Sequence, residues 1–336
     1  MTSNIESRSR NCLNFIRLFA AAQVMIKHLV VHLSAPINGS AYTALSFFGG
    51  VPIFFAISGL LIWFSVERTD SFGDYCKKRF FRIYPELWVG VLIEIATILI
   101  FYRGWNPLSL IAFAFTQGSF LQFWTPDSLN GYGCGAPNGA LWTIGITIQF
   151  YLAVWFIYKL LHSRRAWIWL VGFVGTVALS LFGNAALEII GIDVLVKLYS
   201  QTLFRYLWLF YIGCFIAEFF DKIIEFISRF WFVFLFAAII PFLSGFGLWL
   251  GNYNLLWALP LCVGVIGFSY RFPRISLKTD ISYGIFIYHM IVANVFITLG
   301  WVGNWWYVLA VSAISCVLAC LSYILTKNLR VSPKKK

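Results

Sequence analysis

Apolar residues run along this chain in blocks of about twenty, separated by short polar loops, without the alternation that marks half-buried strands. Blocks of that length match helices that cross a bilayer, which need about 20 apolar residues each. The pattern predicts spans near 12–33, 45–66, 83–102, 140–161, 166–186, 199–220, 230–250, 253–270, 281–300 and 305–326. One further apolar stretch, 108–124, is short, carries Gln117, Gly118, Ser119 and Gln122, and runs into the polar, Gly-rich loop Thr125–Gly139. Asp70–Arg82 interleaves Asp74, Lys77, Lys78, Arg79 and Arg82 with Phe72, Tyr75, Phe80 and Phe81, and reads as an interfacial amphipathic helix leading into the third span. The expected fold is all-α: a polytopic membrane helix bundle of about ten transmembrane helices plus one re-entrant or surface helix, forming a single integral membrane domain over residues 1–336. A β-barrel does not fit apolar runs this long and continuous.

Charge decides how 108–124 is read. If that stretch does not cross, Arg8/Arg10, Arg68 to Arg82, Arg164/Arg165, Lys222/Arg229, Arg271 to Lys278 and the Lys334–Lys336 tail fall on one side, with only Arg103 and Lys197 on the other. If it crosses, every later cluster switches side and the asymmetry collapses. The positive-inside rule therefore favours a re-entrant or surface helix, since irregular backbone at membrane depth is tolerated where it lines a cavity. Composition agrees with a membrane protein: 60% of residues are hydrophobic and 11% charged, against about 25% charged in soluble domains. The net charge of +12 sits in loop clusters that orient the chain in a bilayer, so no nucleic-acid partner is expected. Seven scattered cysteines with no CxxC indicate neither a disulfide framework nor a zinc site. The first span is expected to be retained, because Lys27 and His28 interrupt it and no small-x-small site follows.

The first span also holds the strongest chemical signal, Arg17 and His28. Charged groups near the bilayer centre cost roughly 2.5–3.5 kcal/mol on insertion scales and usually face the protein interior. Eleven residues at about 100° each bring the two onto one helix face, roughly 16 Å apart along the axis. A neutral imidazole inside the membrane can act as a general base. A guanidinium near the inner end can grip a phosphate, a carbonyl oxygen or a carboxylate. The plainer readings are a histidine satisfied by a neighbouring helix and an arginine snorkelling to headgroups. His32, four residues beyond His28, could complete an i,i+4 metal pair only with a third ligand such as His289, and no metal is expected. Arg79 and Arg82, three apart, could clamp a phosphorylated ligand or simply attract anionic lipids. Glu86, Glu94, Arg205 and Glu218 are further polar groups at membrane depth.

Five segments stand in order along the chain: Leu13-Asn14-Phe15-Ile16-Arg17 through His28; Phe54-Phe55-Ala56-Ile57-Ser58-Gly59-Leu60-Leu61; Arg79-Phe80-Phe81-Arg82-Ile83-Tyr84-Pro85; Leu141-Trp142-Thr143 through Gln149-Phe150-Tyr151-Leu152; and Tyr283-Gly284-Ile285-Phe286-Ile287-Tyr288-His289. Together they resemble the acyltransferase family three, bacterial membrane acyltransferases that modify surface glycans. The resemblance implies a multi-pass protein of the cell inner membrane with both termini cytoplasmic. It implies transfer of an acyl group, usually acetyl from acetyl-CoA, to a hydroxyl of an extracytoplasmic glycan or lipid-linked saccharide. His28 then matches the catalytic histidine, Arg17 its partner, and Arg79 and Arg82 the donor-handling arginines. Asn14, Ser58, Trp142, Gln149, Tyr151 and His289 become acceptor-binding or supporting residues. Direct transfer and an acyl-histidine intermediate both remain open.

The family commonly has Asp where this chain has Asn14, and an acid where it has Thr147, which leaves Glu86, Glu94 and Glu218 as candidates for the missing carboxylate. Charged residues at membrane depth would also suit a lipid-linked sugar transporter or flippase, though the duplicated halves of many transporters are not seen. A non-catalytic membrane partner is the third reading.

Overall fold

The computed structural model describes residues 8–122 and 124–329. The Lys334–Lys336 tail used in the charge argument lies outside the described residues. Its helices are α1 (Leu13–His32), α2 (Gly39–Phe47), α3 (Gly50–Glu67), α4 (Phe72–Phe101), α5 (Pro107–Gly118), α6 (Trp142–Leu161), α7 (Ala166–Ile190), α8 (Asp193–Ser200), α9 (Leu207–Glu218), α10 (Phe220–Arg229), α11 (Trp231–Ser244), α12 (Leu255–Arg271), α13 (Ser282–Thr298) and α14 (Trp305–Thr326). The protein is an all-α membrane protein. Strands β1 (Trp249–Leu250) and β2 (Tyr253–Asn254) form a two-residue antiparallel hairpin whose turn takes Gly251 to φ +64°.

Local sequence chemistry sets the helix ends. Asn106 caps α5 by accepting from Ser109 N, with Pro107 in the first turn, where its missing N–H costs nothing. Asn254 and Asn304 cap α12 and α14 in the same way. Gly191 and Gly245 end α7 and α11 in the left-handed conformation.

Among the described residues, six segments are long and apolar enough to cross a membrane: Leu13–His32, Gly39–Glu67, Phe72–Phe101, Trp142–Leu161, Ala166–Ile190 and Trp305–Leu329. The pair α10 and α11, bent by 72°, passes the same test jointly, and α9, α12 and α13 are shorter apolar helices. Several expected boundaries shift. The stretch expected as an interfacial helix leading into the third span, Asp70–Arg82, joins that span in one helix, α4, which starts at Phe72 and continues through Pro85 without a break. The span expected at 199–220 is broken: it takes in the end of α8, a turn at Leu203–Arg205, the 12 residues of α9 and the first residue of α10. The span expected at 230–250 stops at Ser244, before the hairpin. Tertiary contacts and irregular turns replace helix there, and hydropathy cannot register either.

The chain divides into two compact units, each built from three segments. The first comprises 1–20, 47–72 and 146–279; the second 21–46, 73–145 and 280–336. In the first, α3 and α9 cross with almost no side chain between them. A Cβ at Gly59 would collide with Phe210 O, and one at Gly213 with Ala56 O. Close backbone approach through small residues is how membrane helices gain dispersion energy where lipid supplies no hydrophobic drive. In the second unit, α4 meets α13 through two glycines. A Cβ at Gly90 would strike the Ile287 side chain, and one at Gly284 would lie 2.7 Å from Glu86 Oε1 and 2.8 Å from Ala319.

Gly213→Val is expected to destabilise the protein by about 1–3 kcal/mol through overpacking, read as a lower midpoint for heat-induced loss of the monodisperse peak. Gly175→Ala, at a helical position with open space around it, is expected to leave that midpoint unchanged.

Candidate active site

The second unit brings His28 and His289 together. His28 Nδ1 lies 2.9 Å from His289 Nε2, and the rings stack at 5.2 Å and 27°. His289 is fully buried on α13, and its Nδ1 lies 3.0 Å from the Ile285 carbonyl oxygen one turn earlier. A carbonyl only accepts, so His289 Nδ1 carries the hydrogen and donates. In a neutral ring Nε2 is then the acceptor, and His28 Nδ1 must donate to it. The remaining His28 nitrogen, Nε2, keeps its lone pair. It makes no hydrogen bond among the described residues, and the side chain is half-buried. The pair is thus a relay that fixes one tautomer and leaves one basic nitrogen available.

His32 stands edge-on to His28 at 6.0 Å between centroids. Among the described residues no group of three or more His, Cys, Asp or Glu could hold a metal ion, so the i,i+4 pair lacks the third ligand that a site needs. Arg17 belongs to the first unit. Helix α1 runs unbroken from it to His28, which preserves the eleven-residue register.

Helix α4 carries Arg79 and Arg82. Arg82 Nη2 forms a 2.8 Å salt bridge with Asp280 Oδ2, and Asp280 Oδ1 accepts from the Ser282 backbone N–H at 3.1 Å and from its hydroxyl. The Tyr283 hydroxyl donates to the Ile83 carbonyl at 3.2 Å. The basic motif and the start of α13 are therefore fastened together two turns before His289. The Arg79 guanidinium stands 5.7 Å from the Tyr75 ring centroid.

The far end of α13 is held by the loop expected to roof the site. Asn294 Oδ1 accepts from Cys134 N at 2.9 Å, while its amide donates to the carbonyls of Ala136, at 3.0 Å, and Pro137. Thr298 Oγ1 accepts from Gly133 N at 3.2 Å, and Asn138 Nδ2 donates to Ile287 O at 3.0 Å. Gly133 is obligatory here: φ is +58°, and the Asn294 side chain occupies the space a Cβ would take. Tyr132 anchors the loop in a buried cluster with Ile98, Phe113 and Leu129. Burial pushes its phenol up to about 12, so it stays protonated.

The other sequence candidates separate. Gln149 ties α6 to the turn before α9, donating to Gln201 O and accepting from Leu203 N, both at 2.9 Å. Asn14 donates to Leu277 O at 3.0 Å. Ser58 and Tyr151 are half-buried in the first unit, and Trp142 opens α6 in the second. Of the acids, Glu218 is engaged in the first unit, accepting from Trp63 Nε1, Ser163 N and His162. Glu86 packs against Gly284, and Glu94 is fully buried with Asn138 as a polar neighbour. Asp280 and Asn294 were not singled out from sequence. An Asn within the apolar run Val292-Ala293-Asn294-Val295 was the available signal.

With this geometry in place, comparison with known proteins gives a family. The model described as "Acyltransferase domain" matches residues 10–324. The chain belongs to this acyltransferase family. This family member is 29% identical over 346 aligned residues to "Nodulation protein 10" of Rhizobium leguminosarum bv. viciae, covering 96% of this chain and 93% of that one. It is 32% identical over 190 residues to an "O-acetyl transferase" of Shigella phage Sf6, covering 52% and 54%. No solved structure matches.

Removing the Asn294 clamp tests how the acyltransferase holds its loop. Asn294→Ala leaves the Cys134 amide and two carbonyls without their partner and is expected to destabilise by about 1–3 kcal/mol. Maleimide labelling of Cys134, measured against Cys134→Ser to subtract the exposed Cys320, is expected to speed up.

Proposed function

We propose that this membrane acyltransferase moves an acyl group, most simply acetyl, from acyl-CoA to a hydroxyl of an extracytoplasmic glycan or lipid-linked saccharide, with His28 as general base. The observation that carries this reading is the relay Ile285 O···His289···His28, which leaves His28 Nε2 as the one open imidazole nitrogen of the pair. The name of the phage relative, an O-acetyl transferase, supports the reaction class.

Nε2 takes the acceptor hydroxyl's proton as that oxygen attacks the thioester carbonyl carbon. The C–S bond breaks, and the departing thiolate takes the proton back from Nε2, so no charge is left behind. If the acyl group passes first to Nε2, the same lone pair serves as nucleophile, and a single turnover without acceptor would trap acyl-enzyme. Arg17 is proposed to steady charge developing on the thioester oxygen or to hold the donor. Arg79 and Arg82 are proposed to grip the donor's phosphates, with Asp280 keeping Arg82 in position until the donor arrives. Of the three acids weighed for the role of the missing carboxylate at Thr147, Glu94 is the one proposed. Glu218 is committed elsewhere, and Glu86 is wedged against Gly284.

The proposed topology has ten spans in the inner membrane, both termini cytoplasmic, within a single domain. It counts the six long segments, the bent pair and the three shorter apolar helices, and leaves α5 re-entrant. The basic clusters support this arrangement.

His28→Ala, at equal membrane abundance, is expected to abolish acyl esters on the surface glycan measured by NMR; unchanged esters would remove His28 from the reaction. His289→Ala is expected to lower kcat by about 10–100-fold, the usual effect of losing a residue that orients a catalytic imidazole, with KM for acyl-CoA little changed. His289→Gln, whose carbonyl can still accept from His28 Nδ1, is expected to recover part of the loss. Arg79→Ala is expected to raise KM for acyl-CoA about tenfold or more, the scale of one charge-assisted contact, and to leave kcat nearly intact.

A further inference from the structure

The first unit contains a groove of about 620 Å³ that the proposed chemistry does not use. That volume lies within the roughly 300–1,000 Å³ typical of small-ligand pockets. Its walls come from four helices: Trp169 and Phe173 of α7, Tyr211 and Phe215 of α9, Ile227 of α10 and Val263 of α12. Of the three polar side chains in this wall, Trp169 and Tyr211 are engaged within the protein, and Trp167 is exposed. Trp169 Nε1 donates to Leu161 O at 3.1 Å, and the Tyr211 hydroxyl donates to Trp169 O at 2.9 Å. A sugar or nucleotide would find little there to bond, whereas a hydrocarbon chain loses nothing by entering. At the mouth, Leu170 and Phe226 are 63% and 57% exposed.

One end of the groove is marked by cations. The turn His162–Arg165 leads directly into Ala166, itself in the lining. Glu218 pins that turn to the end of α9, accepting from Ser163 N at 2.6 Å and from His162 at 3.0 Å. Arg164 and Arg165 are exposed beside it. Helix α10 starts from the same corner. It places Ile223 and Ile227 toward the groove and Asp221, Lys222, Glu225 and Arg229 on its polar side, as in a helix lying in the headgroup layer. The bend of 72° into α11 leaves α10 out of line with its neighbour. An apolar slot with a cationic rim at one end has the charge and polarity pattern of an anionic phospholipid.

We propose that this groove is a specific site for one anionic phospholipid of the bilayer, an acyl chain lying between α7, α9, α10 and α12 and the phosphate on Arg164 and Arg165. This goes beyond the transfer reaction and does not depend on it.

The test is native mass spectrometry of the full chain, purified in detergent and offered phosphatidylglycerol or phosphatidylcholine. The expected result is one retained phosphatidylglycerol per chain, preferred roughly thirtyfold over phosphatidylcholine, the combined pull of two headgroup-facing arginines. Arg164→Gln with Arg165→Gln, both on the surface, is expected to erase the preference without changing the elution profile. Val263→Trp, filling the slot, is expected to remove the retained lipid. Equal retention of the two lipids, a preference that survives the arginine changes, or a dimer that occupies the groove without lipid would overturn the proposal.

Discussion

The hydrogen bond from His28 Nδ1 to His289 Nε2 is the contact on which the rest of the second unit converges. It works because His289 has no choice of tautomer. Its Nδ1 faces a carbonyl, which can only accept, so the hydrogen positions of both rings follow in turn. The Ile285 carbonyl is four residues before His289 on the same helix, so it already receives the backbone N–H of α13, and its second lone pair serves the ring. A carboxylate at the end of such a relay would put charge into the membrane interior, where it must be paired or kept close to water. A backbone carbonyl orients the imidazole without that cost.

Orientation of this kind is only as good as the helix that bears it, and α13 is fixed along its length. At its start, Asp280 engages Arg82 while Tyr283 reaches Ile83. In its first half, Gly284 and Ile287 meet α4 at contact too close for larger residues on either side. In its second half, Asn294 and Thr298 hold the loop through its main chain, and Asn138 reaches back to Ile287. Polar residues inside an apolar span are expensive unless satisfied. Here that expense selects the geometry, because each such side chain has one neighbouring segment able to satisfy it. Proposed catalytic groups held by such a shell are placed on rigid elements and not on mobile ones.

The all-α membrane class was legible from hydropathy, since twenty-residue apolar runs admit few other solutions in a bilayer. Arg17, His28 and the Arg79/Arg82 motif stood out because charge in or beside an apolar run is conspicuous. The partnership of His28 with His289 was not legible, because 261 residues separate them and periodicity carries no information across helices. Asp280 was hidden for the opposite reason: next to Lys278 and Ser282 it looks like an ordinary loop acid, and only the fold brings Arg82 to it. Helix lengths failed where tertiary contacts replace hydrogen-bonded turns. The span expected at 199–220 is interrupted because Gln149 takes over the backbone groups of Gln201 and Leu203, which a continuous helix would have paired internally.

Gln149 also shows why motif membership and chemical role separate in this chain. It belongs to one of the five segments that carry the family resemblance, yet both ends of its amide are occupied by main chain of the turn before α9. An amide held at both ends has little left to offer an acceptor sugar, since reaching one would break a bond that keeps Leu203 N satisfied. Its place in the motif is accounted for by folding. The same reasoning removes Glu218, whose carboxylate serves Trp63, Ser163 and His162 at once. What remains near the relay is the α4–α13 seam, where Glu86, Gly90 and Glu94 follow one another at four-residue spacing on one face of α4. Glycine sits at the middle position because Ile287 needs the space. Of the two, Glu94 is the one beside Asn138, and Asn138 is bonded to the carbonyl two residues before His289. A change at Glu94 is therefore made next to the residue that ties the loop to α13.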